Sequence, residues 1–145
     1  MCGCNDGFLY CFNKKTGKLL WKFKTEGEVK YGAIFDNKRK LVIFGSMDGK
    51  VYCLSIRSGD VVQSFSAMEG FYSNPLQWND KIIIGSLDKR LYCFNLETGK
   101  KEWEVLTRGR IFSTPEFFEG KVFIGSNDDI VTGKQIGRAS CRERV

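Results

Sequence analysis

An all-β chain made of consecutive four-stranded antiparallel units is predicted here by three features of the sequence. The first is a repeat. Gly3-Cys4-Asn5-Asp6-Gly7 returns as Gly45-Ser46-Met47-Asp48-Gly49, as Gly85-Ser86-Leu87-Asp88-Lys89 and as Gly125-Ser126-Asn127-Asp128, at spacings of 42, 40 and 40 residues. The second is the content of each period: four short runs of apolar, aromatic and β-branched residues, separated by Gly, Asn, Asp and Ser. That is the pattern of strands and tight turns. The third is that no stretch of ten residues carries helical periodicity. A fixed period of about 40 residues marks an array of one supersecondary unit.

Taken in order, the run that follows each motif is a strand: Phe8 to Asn13, Val51 to Ile56 and Leu91 to Leu96. The next turn carries Thr16-Gly17, Ser58-Gly59 or Thr98-Gly99, where Gly supplies the left-handed backbone of a short hairpin loop. The strand after it alternates, with Trp21, Phe23 and Thr25 on one side and Leu20, Lys22 and Lys24 on the other. One wet face is expected of an outer strand. Its counterparts hold Phe65, and Trp103 with Val105. The third strand is expected to begin at Val29, Phe71 and Ile111. Pro75 and Pro115 fall in its later copies, and a residue without an amide hydrogen places that strand at a sheet edge. The fourth strand, Leu41 to Phe44, Ile82 to Ile84 and Val122 to Ile124, is apolar at successive positions and is expected to be buried on both faces.

Four-stranded units in series are the blades of a β-propeller. Neighbouring blades cover both faces of each sheet, which accounts for 42% hydrophobic and 14% aromatic content. No apolar run approaches the roughly 20 residues of a membrane-spanning helix. Residues 1–128 read as half a blade, two full blades and half a blade. Propellers close with about four to eight blades. The chain is therefore expected to be a fragment of a larger ring, and to self-associate when made alone, through uncovered faces and strand edges.

The hairpin core of the unit is more specific than its length. Phe12-Asn13-Lys14-Lys15-Thr16-Gly17-Lys18-Leu19-Leu20-Trp21 and Phe94-Asn95-Leu96-Glu97-Thr98-Gly99-Lys100-Lys101-Glu102-Trp103 resemble the signature of the PQQ-like (pyrroloquinoline-quinone-like) β-propeller repeat family, BamB-like members included. The middle copy keeps Ser58-Gly59 but has Gln63 in place of the Trp. WD repeats are similar in length, but their Gly-His and Trp-Asp dipeptides are absent. The resemblance covers residues 2–128 and implies a ring of about seven or eight blades. For the quinoprotein dehydrogenases of the family it would also imply an Asp base, a calcium site of Glu, Asn and Asp, and a disulfide between adjacent cysteines. This chain has no adjacent Cys pair, and its Asp residues recur once per blade. Trp21 and Trp103 read as packing residues that close one blade on the next. Asp6, Asp48, Asp88 and Asp128 read as turn residues.

After Asp128 the pattern breaks. Asp129-Ile130-Val131-Thr132-Gly133-Lys134-Gln135 stands where Gly-x-Leu-Tyr is expected, and residues 129–145 read as a non-repeat tail. Ile136-Gly137-Arg138-Ala139-Ser140-Cys141-Arg142-Glu143-Arg144-Val145 resembles the in-frame translation of a common sequencing adapter, so 136–145 is set aside as non-native. Its charged residues supply two of the six net positive charges of the chain. The other basic residues are scattered through turns among Asp and Glu, as on solvated loops, and no nucleic-acid surface is expected.

The chain contains no His, so the usual general base and the commonest zinc ligand are both missing. No catalytic, cofactor-binding or metal-ligating residue is assigned, and no cofactor is expected. Cys11, Cys53 and Cys93 share one slot per blade and read as small buried apolar residues. Equivalent sites on neighbouring blades lie too far apart for a disulfide, whose Cα atoms sit within about 7 Å. Cys2 and Cys4 lack the second pair of a zinc site. Unpaired buried thiols favour a reducing compartment, hence the cytoplasm. The expected function is a non-catalytic scaffold whose partner is another protein or a neighbouring domain of the parent chain. The alternative is part of a PQQ-dependent quinoprotein dehydrogenase whose cofactor site lies in other blades.

Overall fold

The computed structural model describes residues 2–3, 5–127 and 131–135. Residues 136–145, set aside above as non-native, lie outside the described residues, as does Asp128. Every described element is a strand, and every pairing is antiparallel.

Four sheets follow one another along the chain. The first orders β1 (Cys2–Gly3), β2 (Phe8–Phe12) and β3 (Leu19–Lys24). The second orders β4 (Ile34–Asp36), β5 (Leu41–Gly45), β6 (Lys50–Ser55) and β7 (Val61–Ser66). The third repeats it with β8 (Leu76–Trp78), β9 (Lys81–Gly85), β10 (Arg90–Asn95) and β11 (Lys100–Leu106). The fourth orders β12 (Glu116–Phe118), β13 (Lys121–Gly125) and β14 (Val131–Gln135). These are the blades. In the register of β14, Val131 faces Gly125 as Leu91 faces Gly85. β14 thus pairs with β13 along its whole length, through Gln135. The same register irregularity recurs after Cys11, Cys53 and Cys93, where each blade accommodates a bulge before its Thr-Gly or Ser-Gly turn.

The outer strands behave as their alternation predicts: β3 and β11 half-bury alternate side chains, while β7 half-buries Gln63 and fully buries Phe65. β5 is buried at every position, and β9 at all but Lys81. β13 departs from that expectation, alternating between buried and exposed positions, with Phe123 uncovered. Pro75 and Pro115 immediately precede β8 and β12, which form the edge opposite the outer strand.

The third strand of the unit begins later than expected, at Ile34, Leu76 and Glu116, five residues beyond Val29, Phe71 and Ile111. The reason lies in hydrogen bonding. The amide of Phe71 donates to the Ser46 carbonyl of the preceding blade at 3.0 Å, and that of Ile111 to Ser86 at 3.3 Å. An amide hydrogen committed to the previous blade is not available to its own sheet ladder, and Ile111 meets its own blade through an isolated antiparallel bridge to Ser126 rather than a continuous strand. Their side chains become plugs between blades instead. A Cβ on Gly45 would come within 2.6 Å of Phe71 Cβ, and one on Gly85 within 2.1 Å of Ile111 Cγ2. At Gly45 and Gly85, the glycine that opens the repeat motif is the space that the next blade's plug fills.

The core accordingly lies between sheets. One cluster joins the first and second blades through Leu9, Val29, Val42, Phe44, Tyr52 and Leu54. A second joins the second and third, where Phe65 stacks on Phe94 with ring centroids 4.6 Å apart. A third joins the last two through Ile83, Leu91, Ile111, Val122 and Ile124. Each fully buried Leu, Ile or Phe contributes about 1.5–3 kcal/mol, so stability resides in the seams, as in other repeat arrays.

Candidate binding site

The recurring Asp has three tasks rather than one. Asp48 Oδ1 accepts from the Lys50 amide at 2.9 Å, the turn bond expected of it. Its Oδ2 accepts from the Tyr52 hydroxyl at 2.8 Å and from the Glu26 amide of the preceding linker at 3.1 Å. Asp88 repeats this with Arg90, Tyr92 and the Met68 amide. Burial first, and then the Asp carboxylate, hold the Tyr52 and Tyr92 hydroxyls well above the usual tyrosine range. These tyrosines keep their protons and act as fixed donors. The Asp-x-x-x-Tyr spacing recurs three times in the sequence, at Asp6/Tyr10, Asp48/Tyr52 and Asp88/Tyr92, and was the signal available for this pairing.

The outer strands close each seam differently. Trp21 on β3 reaches the next blade, its indole Nε1 donating to the Ile56 carbonyl at 3.0 Å. Its ring covers Gly59, as the packing reading of Trp21 expects. One blade on, Gln63 takes the equivalent place, with its Nε2 only 2.9 Å from where a Gly99 Cβ would sit. An amide is much smaller than an indole. Beside it opens a cleft of 730 Å³, with apolar lining from Leu41, Ile56, Val62 and Leu96. Among the described residues no donor reaches the Leu96 carbonyl, the counterpart of Ile56.

The cleft is also cationic. Arg39, Lys40 and Arg57 all line it. Arg39 is neutralised, bridging Asp36 of its own blade at 2.8 Å and Asp80 of the next. Burial acts to raise the Asp36 pKa, but the amide and guanidinium of Arg39 outweigh it and hold the carboxyl below its ordinary range. Hydrogen bonds from Arg39 and Lys38 lower that of Asp80. Lys40 and Arg57 are exposed and form no ion pair among the described residues.

A second feature spans three blades. Tyr31, Tyr72 and Phe112 form an edge-to-face ladder with centroid separations of 5.2 and 5.5 Å. Cys11, Cys53 and Cys93 are buried free thiols on separate blades. Among the described residues no three potential metal ligands cluster, and Asp48 and Asp88 are bonded to Tyr hydroxyls. This donor set does not fit a quinone–calcium site.

Sheets of this order and register, closed by seams of this kind, define a β-propeller built of PQQ-like repeats. The chain belongs to the family of the outer membrane protein assembly factor BamB, whose family model matches residues 5–133. It is 34% identical over 86 residues to the beta-alanine-activating enzyme of Danio rerio, a match covering 56% of this chain and 8% of that protein. The chain thus spans less than a tenth of the length of that curated relative. Among solved structures it resembles BamB from Moraxella catarrhalis, with TM-score 0.79, 22% identity, and 92% of this chain and 42% of that one covered. It also resembles the computationally designed Ika4 protein, with TM-score 0.82, 21% identity, and 93% and 83% covered. At these identities the likeness is one of fold.

Proposed function

We propose that this chain is part of a non-catalytic β-propeller scaffold that holds a protein partner or a neighbouring domain of its parent chain. One observation carries the reading. The polar residues that recur from blade to blade are bonded within the framework, Asp48 to Tyr52 and Glu26, and Asp88 to Tyr92 and Met68. Individuality sits where blades differ, above all at Gln63 and its basic cleft. The local match to a much longer protein named as an enzyme supports an accessory role beside a catalytic region. Sheets of the first and last blades leave Phe12, Leu19, Leu20, Phe117 and Phe118 exposed, and these faces would mediate self-association of the isolated chain. The buried free thiols fit a reducing compartment and support a cytoplasmic location.

The test is cross-linking mass spectrometry on the parent protein in its own cells. Reproducible links from propeller lysines to one partner or one neighbouring domain are expected. A propeller that cross-links only within itself would sink the scaffold reading.

A further inference from the structure

The seam between the first and second blades shows what the seam between the second and third lacks. In the former, an indole lies on Gly59 and gives its N–H to the Ile56 carbonyl. In the latter, Gln63 covers Gly99, the Leu96 carbonyl receives no donor among the described residues, and 730 Å³ stays open beside it. We propose that this cleft binds an aromatic N–H side chain, a tryptophan, from an acidic segment of a partner protein. The proposal rests on the scaffold reading and names the chemistry of the partner.

Each part of the ligand answers to a group in the cleft. The slot between Gln63 and Leu96 is the repeat equivalent of the one that holds Trp21, so a flat ring is the shape the two blades accommodate. Leu41, Ile56 and Val62 supply apolar contact for it. The Leu96 carbonyl supplies the acceptor, and a buried acceptor gains most from a donor where water is displaced. Carboxylates on either side of the tryptophan meet Lys40 and Arg57, which are exposed and carry no partner charge among the described residues. Arg39 adds little, since Asp36 and Asp80 already balance it. An aromatic anchor in a pocket ringed by complementary charge is the usual make-up of a binding hot spot.

The probe is a fluorescein-labelled peptide, Asp-Glu-Trp-Glu-Asp, titrated with the full 145-residue chain and read by fluorescence polarisation. Saturable binding is expected, weakened more than about tenfold when the peptide Trp is replaced by Ala. Gln63→Trp fills the slot from within and should abolish binding while raising the thermal midpoint, so that lost binding cannot be mistaken for lost folding. Arg57→Glu, at an exposed position, serves as the second variant and should weaken binding more than about tenfold at low salt. Equal binding by the wild-type chain and both variants, or no binding by the wild type, overturns the proposal. If the peptide fails while wild-type and Gln63→Trp parent proteins still cross-link to the same partner, the cleft is wrong and the scaffold stands. If neither cross-links to anything, the scaffold reading itself fails.

Discussion

Trp21 and Gly59 belong to different blades, yet a Cβ added to Gly59 would lie 2.7 Å from the indole Cδ2 and Cε3 atoms. Gly59 also has φ of +78°, so even alanine meets both a clash and a strained backbone. Gly59→Ala should cost about 2–4 kcal/mol. Gly17 has φ of +68° with nothing within 4 Å, and Gly17→Ala should cost only about 1 kcal/mol. Urea unfolding midpoints measure both, and equal costs would mean that the indole does not hold the seam.

Lys89 takes the place that Gly7 and Gly49 fill in the other repeats, and keeps their left-handed backbone at φ of +67°. Lysine is strained there where glycine is not. Lys89→Gly should stabilise the chain by about 0.5–1 kcal/mol after the entropy of the unfolded glycine is counted. A destabilised Lys89→Gly variant would refute the argument, and the same unfolding curves decide it.

Acid should loosen the seam between the second and third blades. Asp36 and Asp80 have folded pKa values below their ordinary 3.8. Their contribution is therefore present above about pH 4 and is lost as pH falls through the lower folded values. Arg39→Met removes the bridge and should flatten the dependence of the urea midpoint between about pH 5 and 2. The same slope in Arg39→Met and wild type would show that other carboxylates control acid sensitivity.

Burial, with a smaller push from Asp36, raises the Cys53 thiol to about 12, and the side chain is fully enclosed. Iodoacetamide near pH 8 should leave Cys53 unmodified in the folded chain and label it in urea, since the thiolate is the reactive species. Peptide mass spectrometry resolves it from the other cysteines. Rapid labelling of native Cys53 would mean that the blade opens readily.

Much of this architecture was legible because its causes are local. The period, the Gly turns at Gly17, Gly59 and Gly99, and the half-wet strand around Trp21 all follow from neighbours in sequence. What escaped was set across a seam. Phe71 looks like the start of a strand until its amide is seen bonded to Ser46. Asp48 reads as a turn residue until Tyr52 and Glu26 converge on its second oxygen. Gln63 reads as a degenerate Trp, and the cleft it leaves depends on residues of two blades. No local pattern encodes that volume.

The direction of the seams has a consequence for the growing chain. Trp21 waits for Ile56, made 35 residues later, and the Glu26 amide waits 22 residues for Asp48. On the ribosome each blade therefore emerges with its leading face unfinished, and its successor completes it as synthesis proceeds. Each seam is closed by the blade made after it, so a pause in translation leaves the newest blade's leading face uncovered, in addition to the outer face of the first blade.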